Sequence, residues 1–157
     1  MFQPKKEFME TAIEEVLKSK EKGDYAIGAV IVKDGKIVSR AGNLIRVNED
    51  SIQHAEILVI QEASALMKSR FLEGCILYST AEPCPMCAAA AVWARMSGIV
   101  FGSTIQDMAD YRQKNGNEKF TWRTIDIPAK EILEKGDPKL FLVEGFMREE
   151  CKKLFHG

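Results

Sequence analysis

At 157 residues the chain has a typical single-domain length, enough to bury a core, and 46% apolar with 29% charged residues is ordinary globular composition. Its 22 basic and 23 acidic residues leave a formal net charge of −1, without the basic excess usual for a polyanion-binding surface. No apolar run is long enough to cross a bilayer and no secretory leader is evident, so one cytoplasmic domain over residues 1–157 is expected, with no membrane partner.

Apolar side chains at Phe8, Met9, Ala12, Ile13, Val16 and Leu17 recur at helical spacing, predicting an amphipathic helix over 8–20 that ends near Gly23. Residues 27–32 form a β-branched run, Asp34-Gly35 signals a hairpin turn, and 37–40 read as the returning antiparallel strand. A polar loop over 42–52 precedes a helix over 54–67. Then come a strand over 75–79, a helix over 85–96 and a strand over 99–102, an order that implies parallel pairing and a sheet covered on both faces. Beyond Gly102 the signals are shorter. They give a helix over 107–114, a turn at Asn115-Gly116-Asn117, an extended piece over 121–127, a helix over 128–135 ended by Gly136-Asp137-Pro138, a strand over 140–143 and a closing helix over 147–155.

Chemistry concentrates in Glu82-Pro83-Cys84-Pro85-Met86-Cys87, read together with His54 and Glu56 upstream. The two thiols are one helical turn apart, and the prolines favour a helix start, which in turn favours thiolate over thiol. Two cysteines and one histidine make three metal ligands, one short of a closed structural zinc site. A Cys-x-x-Cys alone would suit a redox pair or a zinc knuckle equally well; His54 and Glu56 tip the reading towards zinc chemistry. Cys75 and Cys151 read as buried apolar fillers, and His156, next to the end of the chain, carries no expected role.

His54-Ala55-Glu56 with Pro83-Cys84-Pro85-Met86-Cys87 resembles the cytidine and deoxycytidylate deaminase superfamily, in the branch of guanine deaminases, fungal-type cytosine deaminases and tRNA adenosine deaminases. The likeness extends to Gly28-Ala29-Val30-Ile31-Val32-Lys33-Asp34-Gly35, Asn43, Trp93-Ala94-Arg95 and Phe101-Gly102. It implies an α/β fold, a three-layer α/β/α sandwich on a five-stranded mixed sheet. It also implies Zn²⁺ held by His54, Cys84 and Cys87, with Glu56 as the catalytic proton carrier beside the metal. Spacing alone does not place Glu56 there, because residues two apart on a helix do not share a face.

By the same resemblance Asn43 would hydrogen-bond the substrate, and Ile27, Glu82 and Asp107 join it as candidate substrate-binding positions. Asn43 read by itself suits a turn equally well. Ile27 stands where guanine deaminases carry a phenylalanine, and Gln53 fills a place that relatives give to alanine, from which it would reach the pocket. Residues 144–151 resemble the closing segment of the tRNA enzymes, but the basic, aromatic tail that follows there is cut short here.

The near-neutral charge favours a free base or nucleoside of guanine or cytosine type, a small-molecule partner, as substrate. The alternative is a tRNA-specific adenosine deaminase, for which the basic and aromatic mixture of Tyr111, Arg112, Lys114, Lys119, Phe120, Trp122 and Arg123 would serve either as a strand-binding surface or as a lid. An alternative of another class is a catalytically inactive zinc-containing binding module. The resemblance also implies a homodimer.

Overall fold

The architecture follows from how each strand of the central sheet divides its side chains. In the computed structural model, which describes residues 1–155, α1 (Lys6–Glu21) leads into the hairpin of β1 (Gly28–Lys33) and β2 (Lys36–Gly42). After α2 (Ala55–Met67), β3 (Cys75–Ala81), α3 (Pro85–Trp93) and β4 (Gly98–Ser103) come α4 (Ile105–Asn115), α5 (Ala129–Lys135), β5 (Phe141–Val143) and α6 (Arg148–Lys152). The five strands lie in the order β2-β1-β3-β4-β5. Antiparallel pairing joins β1 to both β2 and β3, while β3, β4 and β5 run parallel.

Alternation along β1 sends Ala29 and Ile31 to one face and Val30 and Val32 to the other. The first pair packs with Val59 of α2, Ala88 and Ala91 of α3 and Leu133 of α5. The second packs with Phe8, Met9 and Ala12 of α1 and Cys151 of α6. The result is the three-layer α/β/α sandwich on a mixed sheet. A third cluster, with Ala81, Met108, Phe120, Trp122 and Phe155, closes the end of the sheet where β3 finishes. Among the described residues no helix is long and apolar enough to cross a membrane.

The turn between β1 and β2 places Asp34 and Gly35 at φ 51° and 73°, as a two-residue hairpin connection requires. Three sequence-based expectations need correction. The helix that starts at Pro85 stops at Trp93, not residue 96, because Arg95 turns left-handed at φ 54°. Residues 121–127 are not extended throughout: Trp122 adopts φ 48° and turns its indole inward, 2% exposed. The closing helix is only Arg148–Lys152, since Met147 at φ 55° is a left-handed entry rather than a first turn. His156 lies outside the described residues.

Close approach of α1 to the sheet depends on two glycines. A Cβ on Gly28 would sit 2.1 Å from the Ala12 carbonyl oxygen and 2.9 Å from the Val16 nitrogen, both backbone atoms of α1. One on Gly42 would sit 2.0 Å from Ser19 Oγ. Gly28→Ala must therefore push the helix off the sheet, and is expected to destabilise the fold by roughly 1–3 kcal/mol, the usual cost of overpacking a close-packed contact. Chemical denaturation of the variant against the parent measures it.

Candidate metal centre

Two loop-to-helix junctions converge at the end of the sheet where β3 and β4 finish. His54 is the N-cap of α2, with φ −66° and ψ 148°, and Cys84 is the N-cap of α3, with φ −66° and ψ 170°. Pro85 at the first position of α3 fits there because its missing N–H has no partner to lose. Cys87 follows one turn later and is buried.

The donor atoms already describe a coordination polyhedron. Cys84 Sγ lies 3.7 Å from Cys87 Sγ and 3.7 Å from His54 Nδ1, and Cys87 Sγ lies 3.5 Å from the same nitrogen. Tetrahedral zinc with ordinary bond lengths has edges of about 3.8 Å between sulfurs and about 3.6 Å between sulfur and nitrogen. Among the described residues these three form the one His, Cys, Asp and Glu group whose ligating atoms all fall within 4.8 Å of one another. The residues present fit zinc.

Glu56 is the second residue of α2, 3% exposed, with Oε2 3.7 Å from Cys87 Sγ. It approaches the ligands although two positions separate it from His54. The backbone of His54 is extended, so the helical rule that would send the two side chains apart does not apply across the cap. Ser79 on β3 fixes the carboxylate, donating from Oγ to Oε1 at 2.9 Å. No sequence signal singled out Ser79; it is a small polar residue at an inward position of a buried strand.

Charge at this site is coupled through shared protons. The hydrogen bond from Cys87 and the contact with His54 hold the Cys84 thiol down to about 4, against the cost of burial. Cys87 is pushed well above its ordinary value by that same bond to Cys84, by burial and by Glu56. One proton thus serves two sulfurs. Burial also raises Glu56, with His54 and Ser79 pulling the other way. Burial disfavours the His54 imidazolium, but the bond to Cys84 and the charges of Glu56 and Cys84 outweigh it and raise its pKa. A dication would neutralise both sulfurs and release the shared proton.

The remaining candidates divide. Asn43 is 2% exposed, accepts the Ala55 N–H on Oδ1 at 2.7 Å, and donates its own N–H to the Ile27 carbonyl at 3.1 Å, so Asn43 and Ile27 lie beside the His54 junction. Their loop is fastened from behind by Asp24, fully buried, which accepts the N–H groups of Arg46 and Val47 at 2.8 and 2.9 Å. Gln53 is turned into the loop, accepting from Asn48 Nδ2 and donating to Asp50 Oδ2 at 2.7 and 3.2 Å.

Glu82 and Asp107, expected at the substrate, have their oxygens engaged by groups of the chain itself. Both Glu82 oxygens accept backbone N–H groups, from Ile105 at 3.0 Å and Ala129 at 2.8 Å. Both Asp107 oxygens accept from the Arg148 guanidinium, at 2.7 and 2.8 Å, and Asp107 also closes a capping box with Thr104. Phe120 and Trp122, candidates for base stacking, are 4% and 2% exposed and belong to the interior.

Comparison with known proteins places this geometry among relatives. Residues 3–103 match the family model for the cytidine and deoxycytidylate deaminase zinc-binding region. A tRNA-specific adenosine deaminase of Bacillus subtilis is 50% identical over 96 residues, covering 61% of this chain and 60% of its own length. The chain thus spans under two thirds of that relative. A solved structure from work on A-to-I editing by tRNA:A34 deaminases superposes with a TM-score of 0.72 at 28% identity, over 96% of this chain and all of the other. Guanine deaminase from Bacillus subtilis superposes with a TM-score of 0.65 at 33% identity, over 69% of each chain.

The Asp107–Arg148 pair has a signature in acid. Arg148 lowers the Asp107 carboxyl to about 2, so the pair stabilises the fold while Asp107 is ionised in both states and loses that contribution as pH falls from about 4 through 2. Arg148→Met should lower the melting temperature at neutral pH, with the gap to the parent closing below pH 4 in a thermal-melt series.

Proposed function

This chain belongs to the cytidine and deoxycytidylate deaminase family, and on that footing we propose that it is a zinc-dependent hydrolytic deaminase converting adenosine to inosine in tRNA. The observation that carries the choice of substrate is the 50% identity with a tRNA-specific adenosine deaminase, against 38% for a curated guanine deaminase matched over 104 residues. The balanced net charge had favoured a free guanine- or cytosine-type base. A net count averages over the whole surface, whereas phosphate contacts need only local cations. Arg46 and Lys119 flank the Phe120 ring at 5.0 and 5.4 Å from its centroid, and Arg46 follows the Asn43 loop, which suits a strand passing there.

Zinc bound by His54, Cys84 and Cys87 would supply a Lewis acid that brings the pKa of water from about 15.7 down towards 7. Glu56, outside that ligand set yet 3.7 Å from Cys87 Sγ, takes the proton of the attacking water on Oε2. It then passes a proton to the ring nitrogen next to the amino-bearing carbon and helps ammonia depart, so that water and the amine yield a carbonyl and ammonia. Ser79 Oγ, 2.9 Å from Oε1 and 2.7 Å from the Ala81 carbonyl, helps to keep the carboxylate beside the sulfurs. Asn43 is the candidate to hydrogen-bond the nucleoside, with Ile27 as an apolar wall. N–H groups in the first turn of α3 are aimed at the charge that develops on the reacting ring.

A homodimer is part of the proposal, supported by Trp93 at the end of α3 and Leu66 near the end of α2, 82% and 62% exposed. The unbridged state of all four cysteines suits the cytoplasm. An inactive binding module fits less well, since a structural ion calls for a fourth protein ligand.

Incubation with total tRNA should produce inosine, read by nucleoside analysis after digestion, and free guanine or cytosine should release no ammonia. Ammonia from free guanine with unaltered tRNA would transfer the chain to the guanine deaminase reading. Glu56→Gln should cut turnover by about 100- to 10,000-fold, the usual contribution of a positioned acid–base group, with zinc content unchanged by metal analysis. Near-parental turnover in that variant would remove Glu56 from the mechanism.

A further inference from the structure

Glu82 stands at a junction of four elements. It is 8% exposed, and it follows directly on the end of β3 at Ala81. Its backbone N–H donates to the carbonyl of Ser103, the last residue of β4, at 2.7 Å. Its side chain accepts the N–H of Ile105, which opens α4, and that of Ala129, which opens α5, at 3.0 and 2.8 Å. Pro83 then links it to Cys84 with a fixed φ, so a shift of Glu82 is carried into the turn bearing the sulfurs.

We propose that Glu82 is a positioning residue for Cys84 and Cys87, pinning the cysteine-bearing turn to the first turns of α4 and α5. Both helices lie beyond residues 3–103, the stretch matched by the family model. Through Glu82, the hold on the metal depends on the part of the chain that the shared zinc-binding region does not include. A carboxylate suits the junction because two oxygens accept from two N–H groups and neither offers a proton; an amide would set its NH₂ against one of them. The inference rests on the reading that His54, Cys84 and Cys87 hold zinc.

The test compares zinc-loaded full-length chains, parent and Glu82→Gln, for release of zinc to a chromogenic chelator well below either melting temperature. The cobalt-substituted proteins give a second readout in their thiolate and ligand-field bands. Met9→Ala, in α1 on the opposite face of the sheet, serves as a variant destabilised without touching the junction. Glu82→Gln should release zinc about 10- to 100-fold faster, as loss of a supporting partner of metal ligands does elsewhere, and should shift the cobalt bands, while Met9→Ala keeps the parental rate and spectrum. Glu82→Asp retains the charge but is too short to reach both N–H groups. It should fall between the two, and it carries the comparison by itself if the glutamine variant does not fold.

Parental release and an unmoved cobalt spectrum in the Glu82 variants would overturn the proposal, as would equally fast release from Met9→Ala. A parent that binds no zinc would overturn the metal reading first and this inference with it, so the two failures are told apart.

Discussion

Two sulfurs 3.7 Å apart, with a buried carboxylate against one of them, place more potential negative charge in a small volume than a protein interior can hold alone. Everything around the site answers that constraint. Both turns end in helix N-termini, which favour negative charge, and the ring of His54 lies against the sulfurs. A divalent cation would resolve what remains. On the proposed function, the charge that makes the unmetallated site costly would make the metallated one a place where a proton can be moved at neutral pH.

The sheet explains why these turns meet. Parallel β3 and β4 both finish at this end, and the connections that leave them must cross the same crevice, the usual place for a site in an open α/β sheet. Because β1 is fully buried from Gly28 to Val32, its alternation fixes both faces at once, and α1 can only come close enough where Gly28 and Gly42 leave room. Ser19 of that helix donates to the Asn43 carbonyl at 3.1 Å. Packing on one face of the sheet thereby steadies a residue beside the His54 junction on the other.

Much of this was legible in the chain. The period-two run in β1, the Asp34-Gly35 turn and the proline at the start of α3 are local signals, and local signals placed the first four strands to within one or two residues. The last third was harder because its conformation is set by tertiary contacts. Trp122 is extended-looking in sequence but is captured by Tyr25, Tyr111 and Phe155, whose rings lie 4.9, 5.9 and 5.0 Å away. Left-handed Arg95 follows the end of α3, and left-handed Met147 delays the start of α6, where composition would have continued each helix. At the site, the motif marked the ligands and Glu56, whereas Ser79, Asp24 and Arg148 carry no motif: they matter through partners far away in sequence. Glu82 and Asp107 were visible as acidic residues in suggestive places, but only hydrogen-bond accounting shows that their oxygens are spent on backbone and guanidinium groups.

Asp24 lies at the foot of the loop from Asn43 to Gln53 and grips it by the backbone amides of Arg46 and Val47. A loop gripped by its main chain tolerates exchange of the side chains that its trace does not use. Val47 and Ile52, both exposed, can therefore be exchanged for other shapes and charges while the trace of the loop, and the helix cap it feeds, stay where they are. Such an arrangement lets substrate preference drift or be engineered at the rim with the reaction chemistry left undisturbed beneath it.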